Sequence, residues 1–421
     1  MTQHNPTRRR FFGWAAAAYL AHASRAEEGA LITVTVDRTK TIGESQLEIG
    51  VTHTQHSLDT GGNPEAIARS KALMAGVCRY QNVHIMGWGT MNPNPAPDKY
   101  DWDSLDKRMA MVRSIPGAIP VLTLCACPDW MKGGEPGKTD WSRIEAAPRP
   151  EHYSDFAALA GVVAKRYPDV RYFQVWNEMK GLWDSKNNNW DYRGYTSLYN
   201  GVYDTLKAAN PKNQVGGPYL VIEGTGGGKG PENDATKLPL SPRNLQVIDY
   251  WLQHKKGADF ITLDRGLTSF HDKNTYTPEE RMALTRWFGE IARQVHARPG
   301  AAKLPIWWAE FYVSGKKDTL DEKAAIHASA YRQALLGGSS VILLWQPMDT
   351  GEVGHALFSD ARQPTGGKPY PLYEVVKLFH EHFSPGTNIV EAKSSSPNVE
   401  VLASPRATLL INKKTRPSRC A

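Results

Sequence analysis

From residue 31 onward, short apolar runs alternate with amphipathic stretches. The runs fall at 47–53, 78–86, 119–127, 171–178, 213–219, 259–264, 304–311 and 340–346. Helix-like periodicity occupies 64–76, 103–114, 151–166, 194–209, 241–256, 277–297, 322–337 and 370–383. Runs of this length alternating with helices predict parallel strands joined by right-handed crossovers. Eight such units predict an α/β fold closed as a (β/α)8 TIM barrel over residues 40–384. Local chemistry supports several boundaries. Asn210 and Pro211 stop the fourth helix, Thr277, Pro278 and Glu280 open the sixth, and Gly337 and Gly338 end the seventh.

An open doubly wound sheet is the alternative, but it calls for a glycine-rich phosphate turn after the first strand, and none follows Val51. The run GTGGGKG at 224–230 lacks the four-residue gap of a phosphate loop and the Ser or Thr after Lys229, so it reads as a loop above the barrel mouth. After Ser384 the pattern changes to three short strands at 390–395, 399–404 and 408–412, too few for an independent sandwich. They are expected to pack with residues 27–39, giving a small β accessory region over 27–39 and 385–413, followed by a basic tail at 414–421.

Composition changes this picture at the chain ends. Residues 1–26 carry Arg8, Arg9 and Arg10, then Phe11 and Phe12, an apolar run from Gly13 to Ala21 and small residues near Ala23 and Ala26. That order resembles a twin-arginine signal peptide, which predicts the twin-arginine export machinery as a partner and a periplasmic or secreted location. The apolar run is too short to span a bilayer, and no later stretch is long and apolar enough, so no stable membrane insertion is expected. The formal charge of +7 also resides at the ends: without the four basic residues of the signal and the last four of the chain, Lys413, Lys414, Arg416 and Arg419, 42 basic face 43 acidic residues. No basic stripe with interleaved aromatics argues for nucleic acid.

Of the four cysteines, Cys125 and Cys127 share one strand face, a poor arrangement for a bridge. Buried free thiols are the expectation, although a Cys78–Cys125 bridge between neighbouring strands stays open in an oxidising compartment. No Cys or His spacing points to structural zinc, and neither a metal nor an organic cofactor is expected.

The chemistry concentrates where apolar strands end on acids. RYFQVWNE at 171–178 runs into Asn177 and Glu178, and LPIWWAEF at 304–311 carries Glu310. A carboxylate at the carboxyl end of a buried strand is costly, so it tends to sit where function requires it. Paired on the fourth and seventh strands, the two glutamates read as a catalytic pair rather than as buried ion-pairing acids. Trp130 and Trp345 sit where strands reach the mouth and are candidate sugar-stacking walls, whereas Trp176 and Trp308 read as outer-layer packing. His53 and His84 end strands and are candidate substrate contacts, as is Tyr219 on the fifth strand.

The pairing of VWNE with WWAE resembles the retaining glycoside hydrolases of clan A. His84 and Trp88, PDWM at 128–131, GGPY at 216–219, LLWQP at 343–347 and the segment around HFSPGTNIVEAKSSSPNVEVLAS are similar to glycoside hydrolase family 39, over residues 45–412. The resemblance implies Glu178 as acid/base with a raised pKa, Glu310 as ionised nucleophile, Asn177 as a contact to the sugar 2-hydroxyl, and His84 as a sugar contact. Two carboxyl groups about 5–5.5 Å apart would give retention through a covalent intermediate. The chain departs from the family pattern in having Val83 where relatives carry arginine before the strand-two histidine. On strand six it has Asp264, Arg265 and Gly266 in place of His-x-Tyr, with Tyr276 or Tyr312 as candidates for the tyrosine that holds the nucleophile.

The expected activity is therefore hydrolysis of an extracellular or periplasmic polysaccharide or oligosaccharide, with the sugar and the exo or endo mode left open. A catalytically silent carbohydrate-binding barrel involved in polysaccharide export or modification is the alternative, and it has no need for two carboxylates. A metal-dependent hydrolase would need His and Asp clusters at strand ends, for which His53 and His56 are the nearest candidates.

Overall fold

The computed structural model describes residues 32–222, 239–267 and 276–414. The expected export segment, the run at 224–230, Cys420 and nearly all of the basic tail lie outside the described residues.

The first strand, β1 (Val34–Glu44), stands outside the barrel, and it runs five residues beyond the expected boundary at residue 39. Then come β2 (Glu48–Thr52), β3 (Tyr80–His84), β4 (Ile119–Leu124) and β5 (Tyr172–Val175), a two-strand flap of β6 (Trp183–Asp184) and β7 (Asn189–Trp190), and β8 (Gln214–Val221), β9 (Phe260–Gly266), β10 (Ile306–Tyr312) and β11 (Ser339–Trp345). Strands β2, β3, β4, β5, β8, β9, β10 and β11 pair in parallel in that order and close on themselves, β11 returning to β2. This closed barrel replaces the open-sheet alternative. β12 (Asn388–Ser394), β13 (Val399–Ala403) and β14 (Thr408–Asn412) join β1 in a separate antiparallel sheet, so both parts of the chain outside the barrel share one accessory region.

The helices are α1 (Pro64–Met74), α2 (Asp103–Arg113), α3 (Tyr153–Arg166), α4 (Tyr192–Ala209), α5 (Pro242–His254), α6 (Pro278–Leu284), α7 (Arg286–His296), α8 (Leu320–Leu336) and α9 (Pro371–His382). Ser241, Thr277 and Thr319 each accept from the backbone three residues on while that residue's side chain bonds back, closing capping boxes. The expected helix at 277–297 is interrupted at Thr285, whose hydroxyl bonds Met282 O at 2.8 Å and Ser329 Oγ at 2.7 Å.

Three layers fill the barrel. Its floor is apolar: Val121, Phe260, Trp307, Val341 and Leu343 pack with Tyr80 and Tyr172, and Phe260 stacks on Trp307 at 4.2 Å. Above it a belt of side chains crosses four strands. Asn82 Nδ2 donates to Thr52 Oγ1 at 3.1 Å, Thr123 Oγ1 to Asn82 Oδ1 at 2.9 Å, and Gln174 Nε2 to Thr123 Oγ1 at 3.0 Å. Such a buried network, in which Gln174 Oε1 alone has no partner among the described residues, fixes strand register and carries the polar mouth above it. Outward-facing residues meet the helices, as where Phe288 of α7 packs on Trp308 and Phe311 at 4.9 and 4.7 Å. Full burial of a side chain such as Phe288 contributes roughly 2–3 kcal/mol. Cys78, Cys125 and Cys127 are buried free thiols, which removes the Cys78–Cys125 bridge. Among the described residues no helix is long and apolar enough to cross a membrane.

Candidate active site

β5 ends in a tight bend. Trp176 and Glu178 have φ of 68° and 48°, in the left-handed region. Such backbone costs roughly 1–3 kcal/mol per residue and persists where surrounding structure enforces it. Here Trp176 is locked outward against Phe156 with its indole N–H on Lys180 O at 2.8 Å. That lets Asn177 and Glu178 turn into the mouth.

On β10 a different device serves Glu310. Trp307 belongs to the barrel floor, three residues before Glu310, a spacing that simple alternation would send to the opposite face. The pairing of β10 slips after Trp308 on both sides, and this extra residue brings Glu310 back inside while Phe311 faces α7.

Glu178, Glu310 and Asp264 of β9 converge, an oxygen of each lying within 4.8 Å of an oxygen of the others. Glu310 Oε1 accepts from Asn177 Nδ2 at 2.8 Å and from the Tyr219 hydroxyl at 3.3 Å. Asn177 Nδ2 also lies 3.2 Å from the Tyr219 hydroxyl and 3.3 Å from His84 Nε2. The hydroxyl on Glu310 thus comes from Tyr219, while Tyr312 lines the cavity alongside. Lys180 bridges Glu178 Oε2 at 2.7 Å and Glu145 Oε1 at 2.9 Å.

The resting electrostatics differ from the expectation of a protonated Glu178 beside an ionised Glu310. Burial pushes Glu178 up, but contact with Asp264 and the Lys180 ammonium outweigh it and hold the carboxyl below its usual value. Burial and then the charge of Glu178 push Glu310 up to about 8, against Lys180, Asn177 and Tyr219. The reason is Asp264 and then Lys180, two residues beyond Glu178, which pairs with that glutamate. Burial of Lys180 is itself outweighed by Glu178 and Glu310, which keep it cationic. Among the described residues the carboxyl trio is also the group that could hold a metal ion. The positive charge facing it is Lys180.

A cavity of about 810 Å³ opens above the carboxyls, bordered by Trp88, Trp345, Tyr312, Lys180 and Glu352. Trp88 and Trp345 meet edge to face at 6.5 Å, and His84 lies 4.5 Å from Trp88. His84 is fully buried and held neutral, burial taking it down to about 3. Of the residues singled out from sequence, Glu178, Glu310, Asn177, His84, Tyr219 and Trp345 come together here.

His53 and Trp130 do not. His53 is buried with Nδ1 on Ser57 Oγ and Nε2 on Gln81 Oε1, both at 2.7 Å, so neither ring nitrogen is open to a ligand. Trp130 donates to Asn94 O at 3.1 Å and packs on His152, a structural placement away from the cavity lining. His56 pairs with Glu352 at 2.7 Å, and among the described residues no acidic or histidine cluster surrounds His53. Lys180 and Trp88 border the cavity, and sequence reasoning gave neither a site role. The signal for Lys180 was its place two residues after Glu178, and for Asp264 its place at the end of the sixth strand.

No family model and no curated protein matches this chain. Solved structures do. A monomeric β-xylosidase from Caulobacter crescentus aligns over 87% of this chain and 74% of its own at 20% identity, with a TM-score of 0.56. A family 39 glycoside hydrolase from Xanthomonas axonopodis pv. citri aligns over 88% and 72% at 20% identity, TM-score 0.55. The likeness is one of fold: a closed (β/α)8 barrel carrying an antiparallel accessory sheet. A conserved exported protein from Bacteroides fragilis aligns over 91% and 90% at 11% identity, TM-score 0.65.

Proposed function

We propose that this protein is a retaining glycoside hydrolase acting on an extracellular or periplasmic polysaccharide or oligosaccharide. The observation that carries the reading is the approach of Glu178 and Glu310 to within 4.8 Å at the mouth of the barrel, with two donors on one oxygen of Glu310. That separation suits direct attack on the anomeric carbon and is shorter than the roughly 6.5–9.5 Å of an inverting site. The donors from Asn177 and Tyr219 stabilise the anion that a nucleophile must be. Trp88 and Trp345 offer apolar faces to a sugar ring.

In the first step Glu310 bonds to the anomeric carbon while Glu178 gives its proton to the departing oxygen. Water then attacks the glycosyl ester as Glu178 takes a proton from it, and Glu310 leaves as carboxylate. One substitution tests the nucleophile's role selectively. Glu310→Gln removes the nucleophile and is expected to lower turnover by at least about a thousandfold while leaving oligosaccharide binding in place. Incubation of the parent with aryl β-glycosides and with bacterial and plant polysaccharides, followed by mass spectrometry of released sugars, reads both the substrate and the exo or endo mode. Full activity in Glu310→Gln would overturn the assignment. The twin-arginine-like start of the chain supports export, which detection of the mature protein in the periplasm or medium would test.

A further inference from the structure

Three carboxyls meet in this mouth, but the two-step reaction uses two. Glu178 has the Lys180 ammonium, and Glu310 has the amide of Asn177 and the hydroxyl of Tyr219. Asp264 has neither kind of partner. It is fully buried, both of its side-chain oxygens lack a hydrogen-bond partner among the described residues, and it lies opposite Glu310 in the β9–β10 pairing. A buried carboxylate with no donor is among the costliest arrangements a protein can hold. A carboxylic acid in the same place is neutral, and its O–H can donate to the nearest acceptor.

From this geometry, and resting on the glycosidase reading above, we propose that Asp264 is a positioning residue that stores the catalytic proton and shares it with Glu178. The electrostatics agree in sign. Burial, then the neighbouring charge of Glu178 and contact with it, push Asp264 far above the carboxylate range, and the same contact lowers Glu178.

The arrangement answers a difficulty that Lys180 creates. A Glu178 charged by Lys180 has no proton for the leaving oxygen. With Asp264 alongside, the Asp264 O–H bond breaks and the proton passes to the Glu178 carboxylate. Glu178 in turn delivers it to the glycosidic oxygen, and Asp264 is left as the anion. In the second step Glu178 takes a proton from the attacking water and returns it to Asp264, so each turnover ends with the proton where it began. No outside acid, oxidant or metal enters the balance. Asp264 stands on strand six of this chain at the place where the resembling family carries the histidine of its His-x-Tyr pattern.

Two measurements test the proposal, one of them independent of activity. The first is infrared spectroscopy of protein carrying carbon-13 at the aspartate carboxyls, at neutral pH. A label-shifted C=O stretch of a protonated aspartic acid is expected in the parent and in Glu310→Gln, and it is lost in Asp264→Asn. Absence of the band from the parent, or its survival in Asp264→Asn, overturns the proposal. The second compares kcat/KM for an alkyl glycoside, which needs an acid, with that for a dinitrophenyl glycoside, which does not. Asp264→Asn is expected to lower the alkyl rate at least about thirtyfold more than the dinitrophenyl rate, within the range of general acid catalysis. Equal losses would mean that Asp264 only supports the structure. If the band is present but no glycoside or polysaccharide is cleaved by the parent, the proton store stands and the glycosidase reading falls.

Discussion

Glu178 and Glu310 lie too close together, and too deep, to titrate separately, and this has a consequence at the scale of single residues. The nucleophile must be ionised, and its ionised fraction grows as pH rises through its pKa. Because burial and the charge of Glu178 push Glu310 up to about 8, the acid limb of kcat/KM is expected near neutral or slightly alkaline pH, well above the ordinary carboxylate range. Glu178→Gln removes a negative charge beside Glu310 and frees Lys180 from its closest partner. Both changes favour the Glu310 anion, so the acid limb should move to lower pH. A pH series of kcat/KM on a dinitrophenyl glycoside, for parent and variant, checks the sign. An unmoved limb, or one displaced upward, would mean that Glu178 is not the charge that raises Glu310.

At the scale of elements, the site depends on how the segment after β10 is pinned. Arg281 of α6 reaches across to Asp318, its Nε donating to Oδ2 at 3.1 Å, and both side chains are almost entirely buried. Asp318 Oδ2 also accepts from Gly315 N at 2.6 Å, and Gly315 borders the cavity. Asp318→Ala leaves a buried guanidinium without its partner and should cost about 3–5 kcal/mol, read as a lower denaturation midpoint with an unchanged slope. A loss below about 1 kcal/mol would show that the pair is not holding the segment. Nothing in the spacing of Arg281 and Asp318 announced that contact, and other features divide in the same way. Glu178 and Glu310 were legible because each interrupts an apolar run at a strand end, where burying an acid is costly. The slip in β10 that turns Glu310 inward was not legible, since hydrophobic alternation records which residues are apolar and not where a ladder skips one. His53 and Trp130 stand apart from the cavity for a related reason. Both stand near strand ends like the residues that gather at the mouth, but their partners Gln81 and Asn94 come from distant segments. Eight strand and helix units were readable because each buries a face. The polar contacts that rank residues within the mouth depend on tertiary approach.

At the scale of the whole molecule, the accessory sheet is continuous with the barrel. Ile389, Leu402 and Ile411 belong to the same buried apolar cluster as the helices around the barrel. Arg332 of α8 donates to Val401 O at 2.8 Å, and Ser329 Oγ donates to Glu400 Oε2 at 2.7 Å. Ser329 in turn meets Thr285 at the break between α6 and α7, so β13 is tied through α8 to the helices that pack behind β10. A sheet joined to the barrel through a shared core has no reason to melt first. Amides of β12 and β13 are therefore expected to exchange with solvent only through global unfolding, with the same free energy as the barrel strands. Glu400→Ala deprives Ser329 and Gln333 of an acceptor and removes the pairing with Lys413, and should lower stability by about 1–3 kcal/mol. That loss should appear equally in sheet and barrel amides if the two unfold together. Exchange of the sheet at a free energy well below that of the barrel, or a variant that weakens the sheet alone, would make the accessory region a separate cooperative unit. The barrel and its carboxyl mouth would then have to owe their stability to their own packing.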